Sequence, residues 1–406
     1  MPYASTELLK ADAERYEKPW LDPKGANWLS LNGVWKLQWK QLPDQVTQGN
    51  INELPGEADF WGNDVDMAKW DTITVPSCLE MKGYGQPYYI NEQTPIQDNY
   101  PLIRMTANCK NSVASYRRNF NLPEGWKDQR VVLHFDGVYS CASVWVNGQY
   151  VGYSEGSNND AEFDITGMVR EGENNVSVQV VRFTDGSYLE GQDMWRMSGI
   201  HRDVYIYATP KTYVRDHYIT ANFGTAVTKA DMNVQLEMAN PSKLAVKKTV
   251  NVKLLAPDGS EVAKQSAAFS FAEGDSVQTL DVKFQGLTGL QNWSSENPNL
   301  YTVEVSQTDE SGKEEMAFAT KYGFRKVELK NSQVYVNGRR VFFKGANTQD
   351  THPLYGRAID VPTMLRDVQI MKQANMNIVR GSHYPRQAKM YAMFDYYGLY
   401  CMDEAD

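Results

Sequence analysis

The strongest constraint on the fold is a change of hydrophobic pattern near residue 328. Upstream, apolar residues come in short β-prone runs separated by turn signals. Downstream, strand-like and helix-like stretches alternate. Residues 341–345 form a short apolar run. Over 361–374, Met364, Leu365, Val368, Ile370 and Met371 fall at helical spacing, with Pro362 in the first turn, where its missing N–H costs nothing. Residues 377–382 read as a strand, 387–397 as a second amphipathic helix and 399–402 as a third strand. Strand, helix, strand, helix, strand is the opening of a parallel (β/α)₈ barrel. A whole barrel takes ~250 residues, whereas 329–406 number 78. The pattern therefore predicts the start of a barrel whose remaining units lie beyond Asp406.

The upstream part divides in two. From Trp28 to about Pro210, compact strands (115–120, 131–135, 175–183) flank a hairpin over 144–151, with Asn147-Gly148 at the two-residue turn. This predicts a jelly-roll β-sandwich over 1–210. Residues 211–328 carry further strands (250–255, 277–284) and a Pro257-Asp258-Gly259 turn. Their length suits an immunoglobulin-like sandwich. The fold class is thus mainly β, followed by the first β/α units over 329–406.

Composition excludes more than it identifies. The net charge of −9 argues against a nucleic-acid or anionic-membrane partner and fits a soluble protein, cytoplasmic or periplasmic. Cys78, Cys109, Cys141 and Cys401 form no Cys-x-x-Cys pair, which argues against a zinc ribbon or a disulfide-dense scaffold. No apolar run approaches the ~20 residues of a membrane span. The first residues have neither the basic nor the apolar region of a signal peptide.

Residues 185–200, Asp-Gly-Ser-Tyr-Leu-Glu-Gly-Gln-Asp-Met-Trp-Arg-Met-Ser-Gly-Ile, stand out as a connection between strands. Acids, an amide, an arginine and two large aromatics suit a carbohydrate surface, where hydroxyls need polar partners and the C–H face needs an aromatic platform. The alternative is a long sandwich loop with Trp195 in the core.

This segment resembles one found in β-galactosidases of glycoside hydrolase family 2. The resemblance continues through Gly83-Tyr84, Pro87 and Asn91; Phe135-Asp136-Gly137-Val138; Val144-Trp145-Val146-Asn147-Gly148; Trp293-Ser294; Asn297-Pro298-Asn299-Leu300-Tyr301; Gly323-Phe324-Arg325; and Lys344-Gly345-Ala346-Asn347. It ends in Arg380-Gly381-Ser382-His383-Tyr384-Pro385 and Asp403-Glu404-Ala405. It implies an amino-terminal sugar-binding domain, an immunoglobulin-like domain and the entry to a catalytic barrel. The implied activity is retaining hydrolysis of terminal β-galactosides. Other family activities (β-glucuronidase, β-mannosidase) or a stand-alone carbohydrate-binding protein are the alternatives.

Retaining hydrolysis needs two carboxyl groups about 5–5.5 Å apart. The resemblance places both glutamates on later barrel strands. Asn52-Glu53 and Asn91-Glu92 lie outside barrel-type sequence, so this chain is expected to hold no catalytic residue and to be inactive alone. It is expected to hold part of the substrate-binding shell: Asn91, Asp185, Arg380, His383, Gln349 and His352. The resemblance also links Asp185 to a monovalent cation, and implies Na⁺ and Mg²⁺ for the full enzyme, neither site being complete here. Family members usually have histidine where Gln349 stands, and an amide cannot take up a proton at neutral pH. Asp403 and Glu404 are expected to support or pack the barrel. A homo-oligomer is also expected.

Overall fold

A computed structural model describes residues 1–42, 59–90, 96–97, 104–105, 110–190 and 192–405. Its first domain is an antiparallel sandwich. One sheet runs Trp28–Ser30, Val204–Thr209, Arg130–Phe135, Ala161–Asp164. The other runs Gln149–Glu155, Cys141–Val146, Gly172–Val181, Ser112–Leu122, Gly33–Gln41, Asp71–Val75. Side chains at alternate positions of a strand share a face, and Trp35, Tyr116, Val131, Leu133, Val144, Val178 and Ile206 meet in one buried core between the sheets. The hairpin turns where the sequence places it. Asn147 and Gly148 both take positive φ, at 50° and 79°, as a type I′ turn requires.

The second domain packs a three-stranded sheet (Tyr213–Phe223, Lys229–Ala239, Val277–Thr288) on a four-stranded one (Glu261–Phe271, Val246–Leu255, Tyr301–Thr308, Glu314–Tyr322). Val234, Leu236, Val252, Leu254, Val303 and Phe324 are wholly buried between them.

After a small antiparallel sheet over 327–340 the topology becomes parallel. Gly345–Thr348, Ile378–Gly381 and Tyr400–Met402 pair in that order. The helix Val361–Gln373 starts at Asp360, whose carboxylate accepts hydrogen bonds from the Thr363 N–H (2.9 Å) and hydroxyl (2.6 Å). The helix Ala388–Tyr397 stops at Gly398, with φ of 78°. Met364, Val368, Val379, Met390, Met393, Phe394 and Leu399 pack with Trp20, which the amino-terminal segment contributes.

The first parallel strand is displaced from the apolar run that suggested it. Residues 341–344 belong to no strand, because the Asn377 side chain takes up their backbone groups. Its amide donates to the Phe342 carbonyl (2.9 Å) and its oxygen accepts from the Lys344 N–H (2.7 Å). Phe342 is left 73% exposed. At Gly345 the strands approach so closely that a Cβ would lie 1.9 Å from the Ile378 carbonyl oxygen, so this position requires glycine.

Trp293 joins the second domain to the third. It is buried, donates from its indole N–H to the Asp395 carbonyl (2.8 Å) and meets Tyr400 edge-on at 5.3 Å. Asn337 holds its carbonyl at 3.0 Å. A Cβ at Gly323 would come within 2.7 Å of the Trp293 side chain.

Candidate active site

The carboxyl ends of the three parallel strands are where a barrel builds its site. Here they carry Gln349, His383 and Glu404. The connection over 185–200 reaches them from the sandwich.

Much of that connection's polarity is spent inside it. The buried Glu190 carboxylate accepts from the Ser157 N–H (2.7 Å) and hydroxyl (2.5 Å). Arg196, 1% exposed, donates to the carbonyls of Glu190 and Gln192. Ser198 donates twice to buried Glu80, which also pairs with Arg182 at 3.2 Å. Burial raises the Glu80 carboxyl from its ordinary value, opposed by Arg182 and the Ser198 bonds. These groups shape the loop and are not available to a sugar, which corrects the wholesale view of this segment as a binding surface.

The remaining side chains differ. Asp185 opens a 3₁₀ turn, Asp185–Tyr188, capped by Thr184. Asp185 is exposed, and its carboxylate makes no hydrogen bond or ion pair among the described residues. Trp195 is outside the sandwich core. Its strand, Met194–Arg196, pairs with Tyr88–Ile90, and its ring meets Tyr89 edge-on at 5.3 Å. The Tyr89 hydroxyl in turn donates to the Asp193 carboxylate.

The loop is pinned over the barrel strands. The Gln349 amide donates to the Asp193 carbonyl at 2.8 Å. At Gly356, with φ of 62°, a Cβ would be 2.4 Å from Met197 Sδ. Tyr384 is buried with Tyr139, Phe183 and Met194. Arg357 lies over both tyrosine rings, 4.4 Å from Tyr384 and 5.5 Å from Tyr139. Beneath, Asp350 bridges two guanidiniums, Arg202 at 3.3 Å and Arg386 at 3.0 Å. Arg202 also donates to the Pro385 carbonyl at 2.8 Å. All three groups are 2–3% exposed. Beside them His201 is wholly enclosed. Burial first, then Arg357 and Arg202, holds its ring far below the usual histidine range, so it is neutral. No sequence signal pairs Arg202 with Asp350, 148 residues apart.

The second and third strands meet at Glu404. One carboxylate oxygen faces Arg380, and the other is 3.0 Å from His383 Nδ1. The bond to His383 comes first among the causes that hold Glu404 below its ordinary value, followed by burial, which opposes it, and Arg380. Asp403 turns instead to the helix, accepting from the Tyr391 hydroxyl at 2.6 Å. The expectation that Asp403 and Glu404 support the barrel rather than act as a free acidic pair thus has a geometry. Gln349 serves as a loop anchor. His352 sits in a tight turn, its Nδ1 accepting from the Leu354 N–H at 3.1 Å and its ring stacked on Tyr355 at 4.4 Å. Asn91 lies outside the described residues.

Residues 28–210 match the sugar-binding domain of glycosyl hydrolases family 2, residues 212–325 match the model named for the family itself, and 327–406 match its TIM barrel domain. The chain belongs to glycoside hydrolase family 2. Relatives include a Streptococcus thermophilus β-galactosidase, 35% identical over 93% of this chain and 35% of its own length. A Priestia megaterium β-galactosidase is 35% identical over 100% of this chain and 38% of its own length. The family 2 chain thus spans little more than a third of these relatives. Among solved structures, a Bacteroides uniformis β-glucuronidase superposes with a TM-score of 0.77 at 20% identity, covering 93% of this chain and 42% of that one. At that identity the likeness is one of fold.

The metal expectations can be weighed against the residues. Exposed, unpartnered Asp185 fits one oxygen ligand of a monovalent ion. Glu404 is tied to two cationic or donor side chains and Asp403 to Tyr391, so this end of the barrel offers no free pair of carboxylates for Mg²⁺. Among the described residues the one group spaced to hold a metal is His134, Asp136 and Asp160, on the sandwich.

Proposed function

We propose that this chain supplies the sugar-binding shell of a retaining β-galactoside hydrolase. The supporting observation is the docking of the 185–200 connection, through the Gln349–Asp193 bond, beside the barrel-strand ends that carry His383 and Arg380. Asp185 would accept hydrogen bonds from sugar hydroxyls, with Na⁺ beside it supplying compensating positive charge when bound. His383 would meet another hydroxyl, and Trp195 with Tyr89 would offer an apolar face. The 35% identity to β-galactosidases favours galactosides over glucuronides or mannosides. The nucleophile and acid/base would come from barrel strands other than these three, as an oxocarbenium-like transition state needs two facing carboxyl groups.

The test is release of nitrophenol from aryl β-galactoside, β-glucuronide and β-mannoside. The 406-residue chain should release none. A protein carrying this chain with a complete barrel should favour the galactoside. Turnover by the 406-residue chain in host-free material, or preference for either other glycoside, would overturn the proposal.

A further inference from the structure

His383 and Glu404 stand just past the ends of neighbouring parallel strands, whose register pairs Arg380 with Met402. Successive side chains of an extended segment point to opposite sides. Asp403 goes to Tyr391 on the helix, so Glu404 goes the other way, toward Arg380 and His383. Both its oxygens are engaged. An ionised carboxylate only accepts hydrogen bonds, so the 3.0 Å contact requires the proton on His383 Nδ1. His383 Nε2 has no hydrogen-bond partner among the described residues, and the side chain remains 23% exposed.

We propose that Glu404 is a positioning residue that fixes neutral His383 as its Nδ1–H tautomer, leaving Nε2 as a lone-pair acceptor for a substrate hydroxyl. The last clause rests on the reading of this barrel mouth as a sugar site. It makes a definite statement about hydrogen-bond polarity there. The hydroxyl donates and the imidazole accepts, so an analogue lacking that O–H leaves Nε2 unpaired. Arg380 keeps Glu404 ionised and holds its other oxygen, so Glu404 is committed twice over and is not the acid/base of the reaction. The general rule is that the partner of one ring nitrogen sets the role of the other.

The tautomer can be read on the 406-residue chain without any sugar. Histidine labelled with ¹⁵N gives long-range ¹H–¹⁵N correlations that separate a protonated from an unprotonated ring nitrogen. The His383 signals are identified by their loss in His383→Gln. Above the histidine titration, His383 should show a protonated Nδ1 and an unprotonated Nε2. Glu404→Ala should remove that preference, moving the proton to Nε2. Glu404→Gln should keep it, because the amide oxygen still accepts. Signals from the other histidines should stay in place in both variants, which shows that the fold is kept. An unprotonated Nδ1 in the parent chain, or the same pattern in Glu404→Ala, would overturn the assignment. Since no glycoside is present, this outcome is independent of the aryl-glycoside assay.

Discussion

His134 should couple the stability of the sandwich to pH. Its ring is enclosed on the Arg130–Phe135 strand, stacked on Tyr205 at 4.4 Å. Nδ1 lies 3.0 Å from Glu162 and Nε2 2.8 Å from Asp136, with Asp160 at 3.8 Å. Burial alone would lower the pKa, but hydrogen bonds to Asp136 and Glu162, then the charges of Asp136 and Asp160, outweigh it and lift the value to about 9. In the unfolded chain the ring titrates near its ordinary 6.5. The folded state therefore holds the proton more tightly. Its contribution is fully present below pH 6.5 and is lost as pH rises through about 9. At 1.36 kcal/mol per pH unit, the difference corresponds to about 3 kcal/mol. Glu162 and Asp160 are half exposed, so solvent screening brings the expected value to about 2 kcal/mol. An NMR titration of the His134 ring should give a midpoint well above 6.5. Urea unfolding of the parent chain and His134→Gln should show a stability gap about 2 kcal/mol wider at pH 6 than at pH 10. A ring that titrates at or below 6.5, or a gap independent of pH, would refute the argument.

Asp350→Asn removes the charge between Arg202 and Arg386 and leaves two buried guanidiniums uncompensated, a loss of about 3–5 kcal/mol. Calorimetry should show a lower transition for the barrel segment, and an unchanged profile would mean that the bridge contributes nothing. Asp185→Ala, in a protein with this chain and a complete barrel, should lower kcat/KM for β-galactosides by roughly ten- to a hundredfold, the equivalent of about 1.5–3 kcal/mol for a charged hydrogen bond. Unchanged kinetics would make Asp185 a turn residue. Hydrogen exchange should be fast over residues 341–348, where Phe342 and most of Gly345–Thr348 are exposed, and slow over Arg130–Phe135. Equal protection of the two segments would contradict the open-edged arrangement.

The architecture was legible in the chain because it follows from local periodicity. Alternation over residues 131–135 and the Asn147-Gly148 turn determine a sandwich hairpin whatever lies around them. The spacing of Met364, Val368 and Met371 determines a helix with one buried face, and Gly398 determines where the next helix stops. The resemblance carried by 185–200 and 380–385 marked the regions of the site.

What each polar side chain does was decided only in three dimensions. Glu190, Arg196 and Asp185 are chemically similar candidates within twelve residues of sequence. The first two are buried and bonded within the fold, while the third faces solvent. Gln349 became a loop anchor because the fold brings the Asp193 carbonyl within 2.8 Å of it. Residues 341–344 lost their strand to one Asn377 side chain. Hydrophobic periodicity is a property of neighbours along the chain, so the sequence by itself determines which segments become strands and helices and which faces are buried. Hydrogen-bond partners such as Arg202 with Asp350, or His383 with Glu404, are selected by distance after packing, and only the tertiary structure brings them together.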